Sequence, residues 1–130
     1  RSHGDAPEGC DVYLADTLGE MALWYALAGR VFIAGTLTDR GGHTPYEPAA
    51  FGCALIHGPD TRNFTTSFAR LAQATAAQAI QDAASLAAAL AKLEGGEVQR
   101  LQRAIARRAL QQDMPLAQLA QEVCDRLPRP

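Results

Sequence analysis

Apolar positions along the chain fall into two alternating patterns. Short runs at 11–15, 31–35, 54–57 and 77–80 are dense in Val, Ile, Leu, Ala, Phe and Tyr, and each is bounded by polar, Gly or Pro residues. Such runs predict buried strands. Between and after them, apolar residues recur at helical spacing. Asp16 or Thr17 offers an N-cap and Glu20 falls in the first turn. Met21, Leu23, Trp24 and Leu27 then carry a helix to Gly29 as its C′ residue. Pro45 opens a short helix that runs to about Phe51 and closes at Gly52. Phe64, Phe68 and Leu71 share one face of a helix over 63–73.

The remainder reads as helical. Leu86, Leu90 and Leu93 form one stripe, broken at Gly95-Gly96. Val98, Leu101 and Ile105 form a second, with Arg103, Arg107 and Arg108 largely off it as a solvated face. Pro115 opens a third helix with Leu116, Leu119, Val123 and Leu127 inward. Residues 1–10 read as a loop. Strands alternating with helices predict an α/β fold, a Rossmann-like, mainly parallel sheet with a helical C-terminal tail. Ligands gather at the carboxyl ends of strands in such sheets. Three connections, Asp16–Glu20, Gly35–Glu47 and Gly58–Asn63, converge on that rim.

Composition narrows the class. The 130 residues, 48% hydrophobic and 20% charged, describe one ordinary globular domain. A chain of this length buries roughly two-thirds of its unfolded surface. A formal charge of −2, with no basic run interleaved with aromatics, speaks against nucleic acid as a partner. Cys10, Cys53 and Cys124 are odd in number, widely spaced and lack a CxxC, so reduced thiols are expected instead of a disulfide framework or zinc knuckle. No apolar run reaches transmembrane length and no signal peptide is apparent.

The candidate chemistry lies in residues 39–50, DRGGHTPYEPAA. Gly41-Gly42 permits positive φ and close approach of the backbone to a ligand. The following helix start offers unpaired N–H groups and a positive dipole end, so strand, glycine loop and helix together suggest an anion site. Glu47, one turn in, is placed to accept hydrogen bonds from sugar hydroxyls. The alternative is a strand-to-helix turn with no ligand. His43 either donates to a phosphate or orders the loop, and His57 reads as structural. A zinc site from His43, His57 and Cys53 lacks a fourth, carboxylate ligand. Trp24 and Tyr25 read as core.

These residues resemble the 3-deoxy-D-manno-octulosonic acid (Kdo) transferases. The family pattern DTxGE, GGSL, GGHNPLEPA, GPHxxNF is met in order by Asp16–Glu20, Ala34–Leu37, Gly41–Ala49 and Gly58–Phe64. The resemblance implies a partial C-terminal, donor-binding domain of a GT-B glycosyltransferase, with the N-terminal acceptor domain absent from these 130 residues. It implies transfer of Kdo from the donor CMP-Kdo to a lipid A precursor in lipopolysaccharide synthesis, at the cytoplasmic face of the bacterial inner membrane. The catalytic glutamate would lie in the N-terminal domain, so no catalytic residue, metal or cofactor is expected here. Stabilising the leaving phosphate would be this domain's share. By the same resemblance, Leu18, Gly19 and Glu20 lie against the CMP moiety. Thr44, Pro45, Tyr46 and Glu47 form a second donor contact, with Glu47 on the ribose. Gly41, Gly42 and His43 are a phosphate or loop element.

Four departures from the pattern bear on the site. Thr44 stands for Asn, Asp60 for His, Ala34 for Gly and Thr36 for Ser. Asp60 puts a negative charge beside an expected phosphate site. A GT-B relative using another nucleotide sugar, or a nucleotide-binding or interaction module without catalysis, therefore remain as alternatives. In a sheet ordered 3-2-1-4-5-6, residues 11–15 and 31–35 would be third and fourth strands. Strand 31–35 would then have an unpaired apolar edge, and a homo-oligomer, a strand swap or a rearranged sheet is expected.

Overall fold

A computed structural model describes residues 3–111 apart from 5, 7, 94 and 95, with backbone alone at 97–103 and 111. Its centre is a parallel sheet of three strands, β1 (Arg30–Ile33), β2 (Ala54–His57) and β3 (Ala77–Ala79), in the order β1-β2-β3. Val31 lies opposite Leu55 and Leu55 opposite Ala77. Helices α1 (Met21–Leu27), α2 (Tyr46–Ala50), α3 (Thr65–Gln73), α4 (Ala83–Lys92) and α5 (Gly96–Gln111) surround it. A 3-10 turn, Arg62–Phe64, leads into α3.

Successive strand side chains point to opposite faces, so the sheet builds two cores. On one face Ile33 and Leu55 pack with Ala49 of α2, Phe68 and Leu71 of α3, and Ala106 and Leu110 of α5. On the other, Ala54 and Ile56 pack with Ala89 of α4 and its C-capping Leu93. Burying each of Leu55, Ile56 and Leu71, all wholly inaccessible, contributes about 1.5–3 kcal/mol. Helices on both faces of a parallel sheet are the α/β arrangement the pattern implied.

Several expectations change. Residues 11–15 form no strand, and Val12 and Leu14 are 87% and 73% exposed. A strand needs a neighbour to take its backbone groups, and this segment has no place in the sheet. The first helix begins at Met21 because Gly19 adopts φ 84° and makes a turn of residues 18–19. Glu20 is therefore the N-cap position, and Asp16 is not. The helix leaves through an extended Ala28 (φ −75°, ψ 126°), so Gly29 plays no left-handed C′ role. β1 ends at Ile33, since Gly35 (φ 75°) already belongs to a turn. Pro45 is the N-cap of α2, one residue before its first helical position.

The predicted end of α2 holds. Gly52 has φ 73°, its N–H donates to Ala49 O (2.9 Å), and Cys53 N–H donates to Pro48 O (2.9 Å). Those two bonds make a Schellman cap. The helix predicted from Pro115 lies outside the described residues, as do Cys124 and the side chains of Val98, Leu101 and Arg103.

Candidate functional site

At the carboxyl ends of β1 and β2 two connections, 34–45 and 58–61, are sewn together. The buried Thr36 hydroxyl donates to Ile33 O (2.6 Å) and accepts Gly58 N–H (2.8 Å). Asp60 N–H donates to Thr36 O (3.0 Å). Across the seam, Gly41 N–H donates to the Asp60 carboxylate (2.7 Å). Asn63 N–H donates to Gly41 O, and its side-chain amide donates to Arg40 O (3.0 Å) and Gly42 O (3.3 Å). Arg62 pairs with Asp39 (2.5 Å) and lies 3.7 Å from Asp60. The Gly41 amide, and secondarily the Arg62 guanidinium, hold the Asp60 carboxyl below the usual aspartate range despite some desolvation.

This stitching explains the glycine pair. Both residues have positive φ, and a Cβ on Gly41 would fall 2.5 Å from the Asn63 side chain. One on Gly42 would fall 2.8 Å from Thr36 Cγ2. What approaches the backbone here is the neighbouring loop. The expected free amides are also engaged. Gly41 N–H meets Asp60, Gly42 N–H donates to Gly35 O (3.1 Å), and His43 N–H donates to Ala34 O (3.1 Å). Tyr46 N–H meets the Thr44 hydroxyl (3.3 Å), while Pro45 and Pro48 have no N–H to offer. The anion cradle anticipated from strand, glycine loop and helix start is therefore largely closed by internal hydrogen bonds.

Beside this rim lies a cavity of about 340 Å³. Met21 and Tyr25 of α1 form one wall, and His43, Thr44, Glu47 and Pro48 form the other. Its floor is Val31–Ala34, four consecutive residues. Consecutive strand residues point to alternate faces, so the cavity opens on the outer edge of β1. Glu47 is exposed and acidic in the first turn of α2. Tyr25 is a phenol held neutral to higher pH than usual, first by burial, then by the Glu47 carboxylate and the Cys53 thiol. The buried Cys53 thiol donates to Tyr25 O (3.3 Å) and stands 3.5 Å from Ala28 O, tying α1 to the end of α2.

The anticipated site residues divide. Thr44, Glu47 and His43 line the cavity together. Leu18, Gly19 and Glu20 do not, although the adjoining Met21 does. Leu18 is fully exposed, and the Glu20 carboxylate accepts from the Thr17 hydroxyl. Pro45 is wholly buried, and the Tyr46 hydroxyl accepts from Ser67 Oγ (2.8 Å) within the core. Gly41 and Gly42 are buried in the seam. Met21 and Tyr25 are cavity residues that the sequence pattern assigned to an ordinary helix and its core. Their i, i+4 spacing is the signal that puts them on one face. His57 is structural: its Nδ1 lies 2.7 Å from Gly58 O and its ring packs on Phe68 at 4.7 Å.

No family model matches the chain. The chain is 39% identical over 74 residues to the 3-deoxy-D-manno-octulosonic acid transferase of Haemophilus influenzae. To the Bordetella pertussis transferase of the same name it is 42% identical over 66 residues. These matches cover 56% and 49% of this chain. Its fold superposes, with TM-score 0.72 and 36% identity, on the crystal structure of the C-terminal CMP-Kdo binding domain of WaaA from Acinetobacter baumannii. In sequence this chain is similar to the Kdo transferases, and in fold to the C-terminal domain of one of them. The chain spans 17% and 15% of the two transferases. The structural match takes in 77% of this chain and 53% of the solved domain. Within that kinship, two of the departures are accounted for locally: Thr44 uses its hydroxyl on Tyr46 N–H, and Asp60 anchors Gly41.

Proposed function

We propose that this chain is a donor-binding part of a Kdo transferase and holds the cytidylate portion of CMP-Kdo in the cavity between α1 and α2. The observation that carries this is the convergence of Met21, Tyr25, Thr44 and Glu47 on one cavity at the carboxyl end of β1. The fold around that cavity is similar to a domain described as binding CMP-Kdo. The chemistry suits a nucleoside. Apolar walls accept a flat base, and a single carboxylate in an exposed helical turn can accept both hydroxyls of a ribose diol. Kdo would pass to a lipid A precursor by displacement of CMP, with the general base supplied by a glutamate of an N-terminal domain. The setting would be the cytoplasmic face of the bacterial inner membrane, and among the described residues no helix is long and apolar enough to cross one. The chain would also associate with a second copy of itself through exposed apolar residues outside the cavity lining, Leu18, Leu23 and Leu27.

Calorimetric titration of the chain with CMP, UMP and GMP tests the assignment. CMP is expected to bind at least about tenfold more tightly than the other two. Glu47→Ala should weaken it by about 10- to 100-fold, the loss of a charge-assisted hydrogen bond. Binding of UMP or GMP in preference would favour a relative using another nucleotide sugar. No nucleotide binding at all would defeat the proposal.

A further inference from the structure

Where a nucleotide is gripped by its phosphate, the grip comes from unpaired backbone N–H groups or from basic side chains turned inward. This rim has spent most of its glycine-loop amides on itself. The amides of Gly41, Gly42, His43 and Tyr46 each have an internal acceptor between 2.7 and 3.3 Å. Arg62 is engaged by Asp39 and lies against Asp60. Asp60, ionised at neutral pH like any ordinary aspartate, adds a formal negative charge to the glycine loop, 2.7 Å from the Gly41 amide nitrogen. The cavity walls contribute apolar surface, one carboxylate, the hydroxyls of Tyr25 and Thr44, and one exposed imidazole.

Given donor binding at this cavity, without which the inference has no object, we propose that the chain recognises the nucleoside and gains little from the phosphate, because Asp60 occupies the Gly41 amide and keeps anions off the glycine loop. Asp60 is thus a specificity-determining residue acting through the loop. Its position, fixed by Arg62 and by the Asp60 N–H bond to Thr36 O (3.0 Å), makes the exclusion a built-in property of the seam. The charge of a departing phosphate must then be met by groups outside this rim.

Cytidine and CMP titrated in parallel against the 130-residue chain supply the test. Their dissociation constants are expected to agree within about fivefold, the advantage a solvent-exposed ionic contact can give. Asp60→Asn keeps an acceptor for Gly41 but removes the charge, and should raise the preference for CMP. Asp60→Ala also frees the amide and should raise it further, with inorganic phosphate alone now shifting the Gly41 amide resonance. Wild-type preference for CMP above about twentyfold, or an unchanged ratio in Asp60→Asn, overturns the proposal. If Asp60→Ala does not fold, Asp60→Asn decides alone. If neither cytidine nor CMP binds the wild-type chain, donor binding fails first and this proposal falls with it.

Discussion

Thr36 and Gly58 are 22 residues apart in sequence and in contact in space. A Cβ on Gly58 would lie 2.3 Å from the backbone oxygen of Thr36, an atom that cannot swing aside. Gly58→Ala must therefore part the two loops and lose the Gly58 N–H bond to the Thr36 hydroxyl (2.8 Å). The expected cost is about 1–3 kcal/mol or more, the usual range for overpacking, read as a lower urea midpoint. A Gly58→Ala chain as stable as wild type would mean the seam does not hold the rim. The sequence marks Gly58-Pro59 as punctuation at a strand end, and nothing in local pattern names the opposing residue. Asp60 shows the same limit. Its charge is visible in the sequence as an oddity near a phosphate site, but its bond to Gly41 exists only once β1 and β2 are side by side.

At the level of elements, α4 is set by its cap. The Asp82 carboxylate accepts Ser85 N–H (2.8 Å), and the Ser85 hydroxyl accepts Asp82 N–H (3.0 Å). This reciprocal box uses Ser where Glu or Gln is usual at the third position, so pattern matching passes over it. The Ser85 backbone N–H, followed by its hydroxyl, holds the Asp82 carboxyl below its ordinary value. Because the folded-state value is the lower one, the contribution is complete above about pH 3.9, the unfolded aspartate value. It is lost as pH falls through the folded-state value. Asp82→Ala should lower the thermal midpoint at pH 7 and flatten its decline in acid, as differential scanning calorimetry can measure. An unaltered acid slope would remove Asp82 from the account. Run 54–57 was legible as a strand because helices bury both of its faces, while β3 is only partly covered and Ala79 is exposed. Residues 11–15 carry the same letters but have no strand beside them among the described residues, and a strand is a property of a pair.

For the molecule as a whole, the exposed apolar residues on and before α1 bear on behaviour in solution. β1 pairs with β2 alone among the described strands. Leu18, Met21, Leu23, Leu27 and Phe51 are exposed apolar residues, and Val12 and Leu14 precede them in the irregular segment before α1. Exposed apolar residues grouped in one stretch of chain favour association. Light scattering coupled to size exclusion should find twice the chain mass at high concentration, and a stable monomer under those conditions would refute association through this surface. Layering and parallel direction were readable from alternating periods. The cavity's α1 wall was not, because Met21 and Tyr25 look like any amphipathic stripe until Cys53 fastens that helix beside Glu47.

Trp24 is the single tryptophan of the chain. It stands on α1 between Met21 and Tyr25, its ring 5.7 Å from that of Tyr13, and its indole N–H is buried without a hydrogen-bond acceptor among the described residues. The fold thereby carries its own fluorophore on one wall of the cleft. Indole emission responds to the polarity around that N–H, so any shift of the helix as the cleft fills can be followed optically, with no label attached.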